Sequence, residues 1–212
     1  MKNILLAGGL AMVGTLLGTR VLIGFLVRKH YGQFIRDDGP TAHHTKRGTP
    51  TMGGIVIIIS VVLAYFLAHL LTWTPITASA LLVLYLFVGH GVLGFMDDWA
   101  KISKQRSLGL TGRAKLIGQA FLAGSFGYLA LQLPNAKGIH PASSAISFLR
   151  DISWLTLPTA LAVVWMILLI AGASNAVNLT DGLDGLASGA ATMVFVAYAL
   201  IDIWQFNQWC GN

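Results

Sequence analysis

Residues 53–98 read GGIVIIISVVLAYFLAHLLTWTPITASALLVLYLFVGHGVLGFMDD, and this stretch decides the fold. Two apolar runs, 53–73 and 76–96, flank Trp73-Thr74-Pro75. At about 1.5 Å of rise per residue, about 20 apolar residues cross the hydrocarbon core of a bilayer, so each run is long enough to span it. Proline breaks the helix and tryptophan favours the lipid–water interface, so the two runs should form an antiparallel transmembrane hairpin.

The same pattern extends outward to give six spans: 4–27, 53–73, 76–96, 115–133, 155–174 and 186–205. The expected fold is all-α, a polytopic bundle forming one integral membrane domain over residues 1–212. Composition agrees: 55% of residues are hydrophobic, only 10% are charged, and mean hydropathy is +0.71. So few charges cannot cover a water-exposed globule. The N-terminal run is too long for a signal peptide and is followed by no convincing cleavage site, so it reads as a retained span. Cys210 is the only cysteine, which excludes an intrachain disulfide and a cysteine-based metal site.

The net charge of +6 does not indicate nucleic acid, because the basic residues sit in short segments between apolar runs. Arg28, Lys29, Arg36, Lys46 and Arg47 precede the second span, and Lys101, Lys104, Arg106, Arg113 and Lys115 follow the third. The positive-inside bias assigns both segments to the cytoplasm. The N-terminus and residues 134–154 then lie outside, and residues 175–185 return to the cytoplasm. The outer segment reads as a bland connector.

Three polar clusters consequently fall on one face. Lys46-Arg47-Gly48-Thr49-Pro50-Thr51-Met52-Gly53-Gly54 joins cations, hydroxyls and glycines, which suits phosphate oxygens but also suits a juxtamembrane loop facing anionic lipid. Asp97-Asp98-Trp99-Ala100-Lys101 places two acids directly after an apolar span, where they are costly unless solvated, paired or metal-bound. On a continuing helix Asp97 and Lys101 share a face, and an interfacial salt-bridge cluster is the plainer alternative. In Ser174-Asn175-Ala176-Val177-Asn178-Leu179-Thr180-Asp181-Gly182-Leu183-Asp184-Gly185-Leu186, polar residues recur every third position, so Asn175, Asn178 and Asp181 form a drifting helical ridge. A capping turn would use the same residue types. Carboxylates able to hold Mg²⁺ and cations able to clamp phosphates, gathered at one membrane face, suit phosphoryl transfer between a soluble nucleotide and a membrane-embedded phosphate.

The strings GTPTMGG, DDxxK and NxxNLTDGLDGL together resemble those of the bacterial phospho-N-acetylmuramoyl-pentapeptide transferases, and the likeness runs from the first span to the end of the chain. The first string favours this peptidoglycan branch over the sister N-acetylglucosamine-1-phosphate transferases. The resemblance implies transfer of phospho-N-acetylmuramoyl-pentapeptide from its UDP carrier to undecaprenyl phosphate. The products are UMP and lipid I, the cofactor is Mg²⁺, and the setting is the cytoplasmic (inner) membrane. By the same resemblance Asp97 and Asp98 are catalytic. Asp97 deprotonates or positions the lipid phosphate, and Asp98 lies near the diphosphate and is the metal candidate. Lys46, Thr51, Lys101 and Lys115 line the substrate cavity, Asn178, Asp181 and Asp184 surround the uridine and adjoining groups, and Asn175 is a further substrate-binding residue. A homodimer is the assembly common in the family.

Members of that family are longer, and their further part carries a third aspartate that ligates Mg²⁺ and a histidine-rich loop. His43 and His44 do not match that loop. The chain stops after its sixth span, so the 212-residue chain alone is expected to be inactive. A transporter or scaffold would also carry intramembrane charges and glycines, but would place its polar groups nearer the midplane. Arg20 reads as an interfacial tether and His90 as an interhelical histidine, with Gly89, Gly91 and Gly94 as close-packing positions.

Overall fold

A computed structural model of the chain describes residues 2–29, 31–32, 49–106, 108–135, 138–147 and 151–209. Among the described residues six helices are long and apolar enough to cross a membrane. They are α1 (Lys2–Arg28), α2 (Gly54–Thr72), α3 (Ala78–Ser103), α4 (Gly112–Gln132), α5 (Thr159–Thr180) and α6 (Leu186–Trp209). The chain divides into two compact units, Met1–Ile167 and Leu168–Asn212.

In the first unit the packing partners run in opposite directions along successive helices, as an antiparallel bundle requires. A Cβ on Gly14 would lie 3.0 Å from Ser60 Oγ, and one on Gly18 would lie 2.7 Å from Val56, which sets α1 against α2. Asn3 at the start of α1 donates to Thr74 Oγ1 at 2.9 Å, just past the far end of α2. Gly91 abuts Ile58 between α3 and α2. A Cβ on Gly89 would come within 2.6 Å of Leu122, and one on Gly118 within 2.8 Å of Leu93, joining α3 to α4. Tyr85 and Ser125 share a 2.6 Å hydrogen bond across the same interface. Glycines thus sit where backbones approach one another, the usual device for helices that gain little hydrophobic energy from pairing in lipid. Gly94, by contrast, meets open space.

Among the described residues few side chains are enclosed by protein, and half of those are alanines: Ala64, Ala68, Ala123, Ala130 and Ala162. Large apolar side chains such as Leu17, Phe121 and Phe195 point outward. That inversion is what a lipid solvent demands.

Helix ends differ from the hydropathy limits in an instructive way. α3 runs to Ser103, well past the apolar limit at 96, and α5 runs from Thr159 to Thr180 rather than from 155 to 174. Hydropathy marks the lipid-facing length, whereas the helix continues wherever its backbone bonds continue. Threonines start two of the helices: Thr77 accepts from Ala80 N and Thr111 from Ala114 N, each at 3.3 Å. Such caps contribute about 1 kcal/mol each.

The connector before α5 carries a strand pair that its composition does not indicate. Strands β1 (Ala145–Ser147) and β2 (Asp151–Thr156) pair antiparallel with Ala145 opposite Thr156. The alternation of Ile152, Trp154 and Thr156 is a strand pattern. α5 starts beyond it, with Ala162 N bonded to the Pro158 carbonyl at 2.9 Å.

Candidate active site

The site in the first unit grows out of the last two turns of α3. Helical spacing puts Asp97, Asp98 and Lys101 within reach of one another, and the Lys101 ammonium bridges Asp97 Oδ2 and Asp98 Oδ1 at 2.9 Å each. From the first turn of α4, Lys115 Nζ reaches Asp97 Oδ1 at 3.0 Å. The Leu110 amide donates to the same oxygen at 2.7 Å. From the loop before α2, Thr51 Oγ1 donates to Asp98 Oδ2 at 2.9 Å.

Every carboxylate oxygen of the pair therefore has a donor, and two negative charges face two positive ones. Exposure separates the four charged side chains. Asp97 is 10% exposed, whereas Asp98, Lys101 and Lys115 retain 28%, 33% and 29%. Asp97 is the enclosed hub, and the other three can still meet a ligand. Charge-assisted bonds of this kind are the stronger class of hydrogen bond and fix geometry as well as charge.

The loop that delivers Thr51 is held at several points. Gly32 and Pro50 form an isolated antiparallel bridge, so the chain leaving α1 runs beside the chain entering α2. Met52 has φ of 69°, a left-handed conformation uncommon outside glycine, and is 7% exposed. Backbone strain of this kind persists only where the surroundings over-determine it, and it clusters at functional sites. The aromatic rings of Tyr31, Phe95 and Trp99 pack at this end of α1 and α3, with Tyr31 edge-on to Trp99 and Phe95 stacked on it.

The structure thus brings together Asp97, Asp98, Lys101, Lys115 and Thr51. Lys46 lies outside the described residues, as do His43 and His44. The third motif belongs to the second unit. Asn175 and Asn178 lie on the last turns of α5, where Asn175 Nδ2 donates to the Ala171 carbonyl at 2.8 Å. Asp181 and Asp184 are exposed in the turn between α5 and α6, which closes at Gly185 with φ of 80°. His90 does not bond across helices: its Nδ1 pairs with the Leu86 carbonyl one turn back at 3.0 Å. Its Nε2 is buried without a hydrogen bond.

Among the described residues no group of three or more histidine, cysteine, aspartate or glutamate side chains is placed to hold a metal. Mg²⁺ needs less from a protein, since it keeps several waters and takes one or two carboxylates together with substrate phosphates. Asp98, part-exposed and next to Asp97, fits that requirement.

Two contributors escaped the sequence reading, the Leu110 amide and Gly109. Gly109 lies directly against the Asp97 carboxylate. The only prior signal was a glycine just upstream of the Thr111 cap.

Comparison with known proteins gives a consistent picture. Residues 78–210 match the model of glycosyl transferase family 4, and residues 46–58 match signature 1 of the phospho-N-acetylmuramoyl-pentapeptide transferases. The chain is 68% identical over 212 residues to such a transferase from Cutibacterium acnes, covering 100% of this chain and 60% of the relative. It is 60% identical over 214 residues to one from Nocardioides sp., covering 100% and 59%. For one from Streptomyces avermitilis the identity is 52% over 212 residues, covering 100% and 59%. The chain therefore spans about 60% of the length of these curated relatives.

Proposed function

Because the chain belongs to glycosyl transferase family 4 and carries a phospho-N-acetylmuramoyl-pentapeptide transferase signature, we propose that it provides part of the active site of such a transferase. The reaction moves phospho-N-acetylmuramoyl-pentapeptide from UDP to undecaprenyl phosphate, releasing UMP and forming the lipid-linked product. The observation that supports this best is the Thr51–Asp98–Lys101–Asp97–Lys115 network, which joins the signature loop to the paired aspartates.

In this reading the cationic segments after α1 and α3 face the bacterial cytoplasm. Lys101 and Lys115, each about a third exposed, meet the diphosphate oxygens. Asp98 would hold Mg²⁺, which would supply neutralisation of charge on the transferring phosphoryl group. Asp97 acts by position rather than as a base. It is the enclosed carboxylate of the two, 10% exposed and held by three donors, and a lipid phosphate is already ionised at neutral pH. What Asp97 does is hold two ammonium groups where charge must be balanced. By the family likeness Asn178, Asp181 and Asp184 receive the uridine and its neighbouring groups, and Asn175 and Lys46 are assigned to substrate binding.

The deciding experiment uses a chimera in which residues 1–212 replace the matched part of the Cutibacterium acnes relative. With undecaprenyl phosphate and Mg²⁺, UDP-N-acetylmuramoyl-pentapeptide should yield lipid product and UDP-N-acetylglucosamine should yield none. The reverse preference, or no product from either donor while the intact relative works, would refute the proposal.

A further inference from the structure

We propose that the Gly109–Leu110 peptide is a positioning strap for Asp97, an inference that rests on the transferase reading for its consequence but not for its geometry. Gly109 and Leu110 lie against the end of α3 just before Thr111 caps α4. The Leu110 amide donates to Asp97 Oδ1 at 2.7 Å. Arg106 holds the same segment, its Nε donating to the Leu108 carbonyl at 2.8 Å and its Nη2 to the Gly109 carbonyl at 3.4 Å.

Glycine at 109 answers a need for space, not for an unusual backbone. Its φ is not in the positive region, where the positive-φ glycines are Gly138 and Gly185. A Cβ at 109 would instead collide with Asp97 itself, lying 2.6 Å from Cγ and 2.6 Å from the main-chain oxygen, with Oδ1 closer still. Those are distances real Cβ atoms do not adopt, and the obstructing atoms are held, one in the helix backbone and the others in a carboxylate that accepts from three donors. Any side chain at 109 must lift the strap or turn the carboxylate. Either movement takes the Leu110 amide off Oδ1 and loosens the hold on Lys101 and Lys115. The strap is therefore what makes Asp97 a fixed point rather than one rotamer among several.

Gly112, three residues on, is the built-in control, because a Cβ there meets open space. Two measurements test the strap with Gly109→Ala, Gly112→Ala and Leu110→Pro, the last removing the amide hydrogen. The first needs no catalysis: the 212-residue chain in detergent is treated with a water-soluble carbodiimide and an amine, and modification at each aspartate is read by mass spectrometry. Asp97 should label more slowly than exposed Asp181 in the parent and several-fold faster in Gly109→Ala, with Gly112→Ala like the parent. Equal labelling of Asp97 in the parent and Gly109→Ala overturns the strap.

The second measurement uses the chimera. Gly109→Ala should lower kcat by about tenfold or more while KM for the UDP-sugar stays within about twofold, because the lost alignment is felt where charge is redistributed. A parental kcat, or a loss carried wholly by KM, overturns the proposal. Thermal melting separates misfolding from misalignment in each variant, and Leu110→Pro is read only if it melts as the parent does. A chimera without any transfer activity refutes the proposed function, and the labelling result then decides the strap on its own.

Discussion

The aspartates on the two sides of this chain's division have been given opposite surroundings. Asp97 is 10% exposed and its charge is answered within the protein, by Lys101, Lys115 and a backbone amide. Asp181 and Asp184 stand exposed in a turn bounded by a left-handed glycine. The residue type is the same, but one carboxylate is enclosed and belongs to the fold as much as to the chemistry, whereas the others lie at the surface. Substitution at the first should therefore cost stability, whereas substitution at the second should cost function alone.

The largest effect is expected at Asp97. Asp97→Asn leaves two ammonium groups without their shared anion, and breaking a buried ion pair costs about 3–5 kcal/mol. Because both lysines keep about a third of their exposure, the expected loss here is about 2 kcal/mol, measured by reversible unfolding in mixed micelles. No change would place Asp97 with the solvent-facing carboxylates and break the comparison.

Gly185→Ala comes next. At φ of 80° an alanine costs about 1–2 kcal/mol, which should appear as a lowered unfolding midpoint, whereas Gly112→Ala should fall within about 0.5 kcal/mol of the parent. Thr51→Val removes the hydroxyl that donates to Asp98 Oδ2 and should cost about 1 kcal/mol in the same assay. A larger loss would mean that the loop before α2 depends on this bond for its fold.

The smallest effect sharpens the contrast. Asp181→Asn should shift stability by less than about 0.5 kcal/mol while reducing activity in the chimera. A drop in stability comparable to that of Asp97→Asn would show that the turn between α5 and α6 is ordered by its acids.

How much of this could be read beforehand follows from which forces are local. Six spans were legible because a bilayer imposes a length on apolar runs. The pairing of Asp97 with Lys101 was legible because helical spacing is a local rule. Lys115, Leu110 and Gly109 reach Asp97 across the turn between helices, and no periodicity records how a connecting segment folds back. Thr51 and Asp98 are 47 residues apart, and topology could place them on one face without placing them 2.9 Å apart. The strand pair at 145–156 was missed because serines and a tryptophan between two spans resemble any connector, and only the alternation of Ile152, Trp154 and Thr156 carried the signal. His90 was expected to bond between helices and instead satisfies one nitrogen on its own helix.

The central claim is that the network around Asp97 serves phosphoryl transfer, and UMP release tests it most directly. In the chimera the parent should release UMP only when UDP-N-acetylmuramoyl-pentapeptide, undecaprenyl phosphate and Mg²⁺ are all present, and Asp97→Asn should release it about 10²–10³-fold more slowly. UMP release by Asp97→Asn at the parental rate would contradict the account.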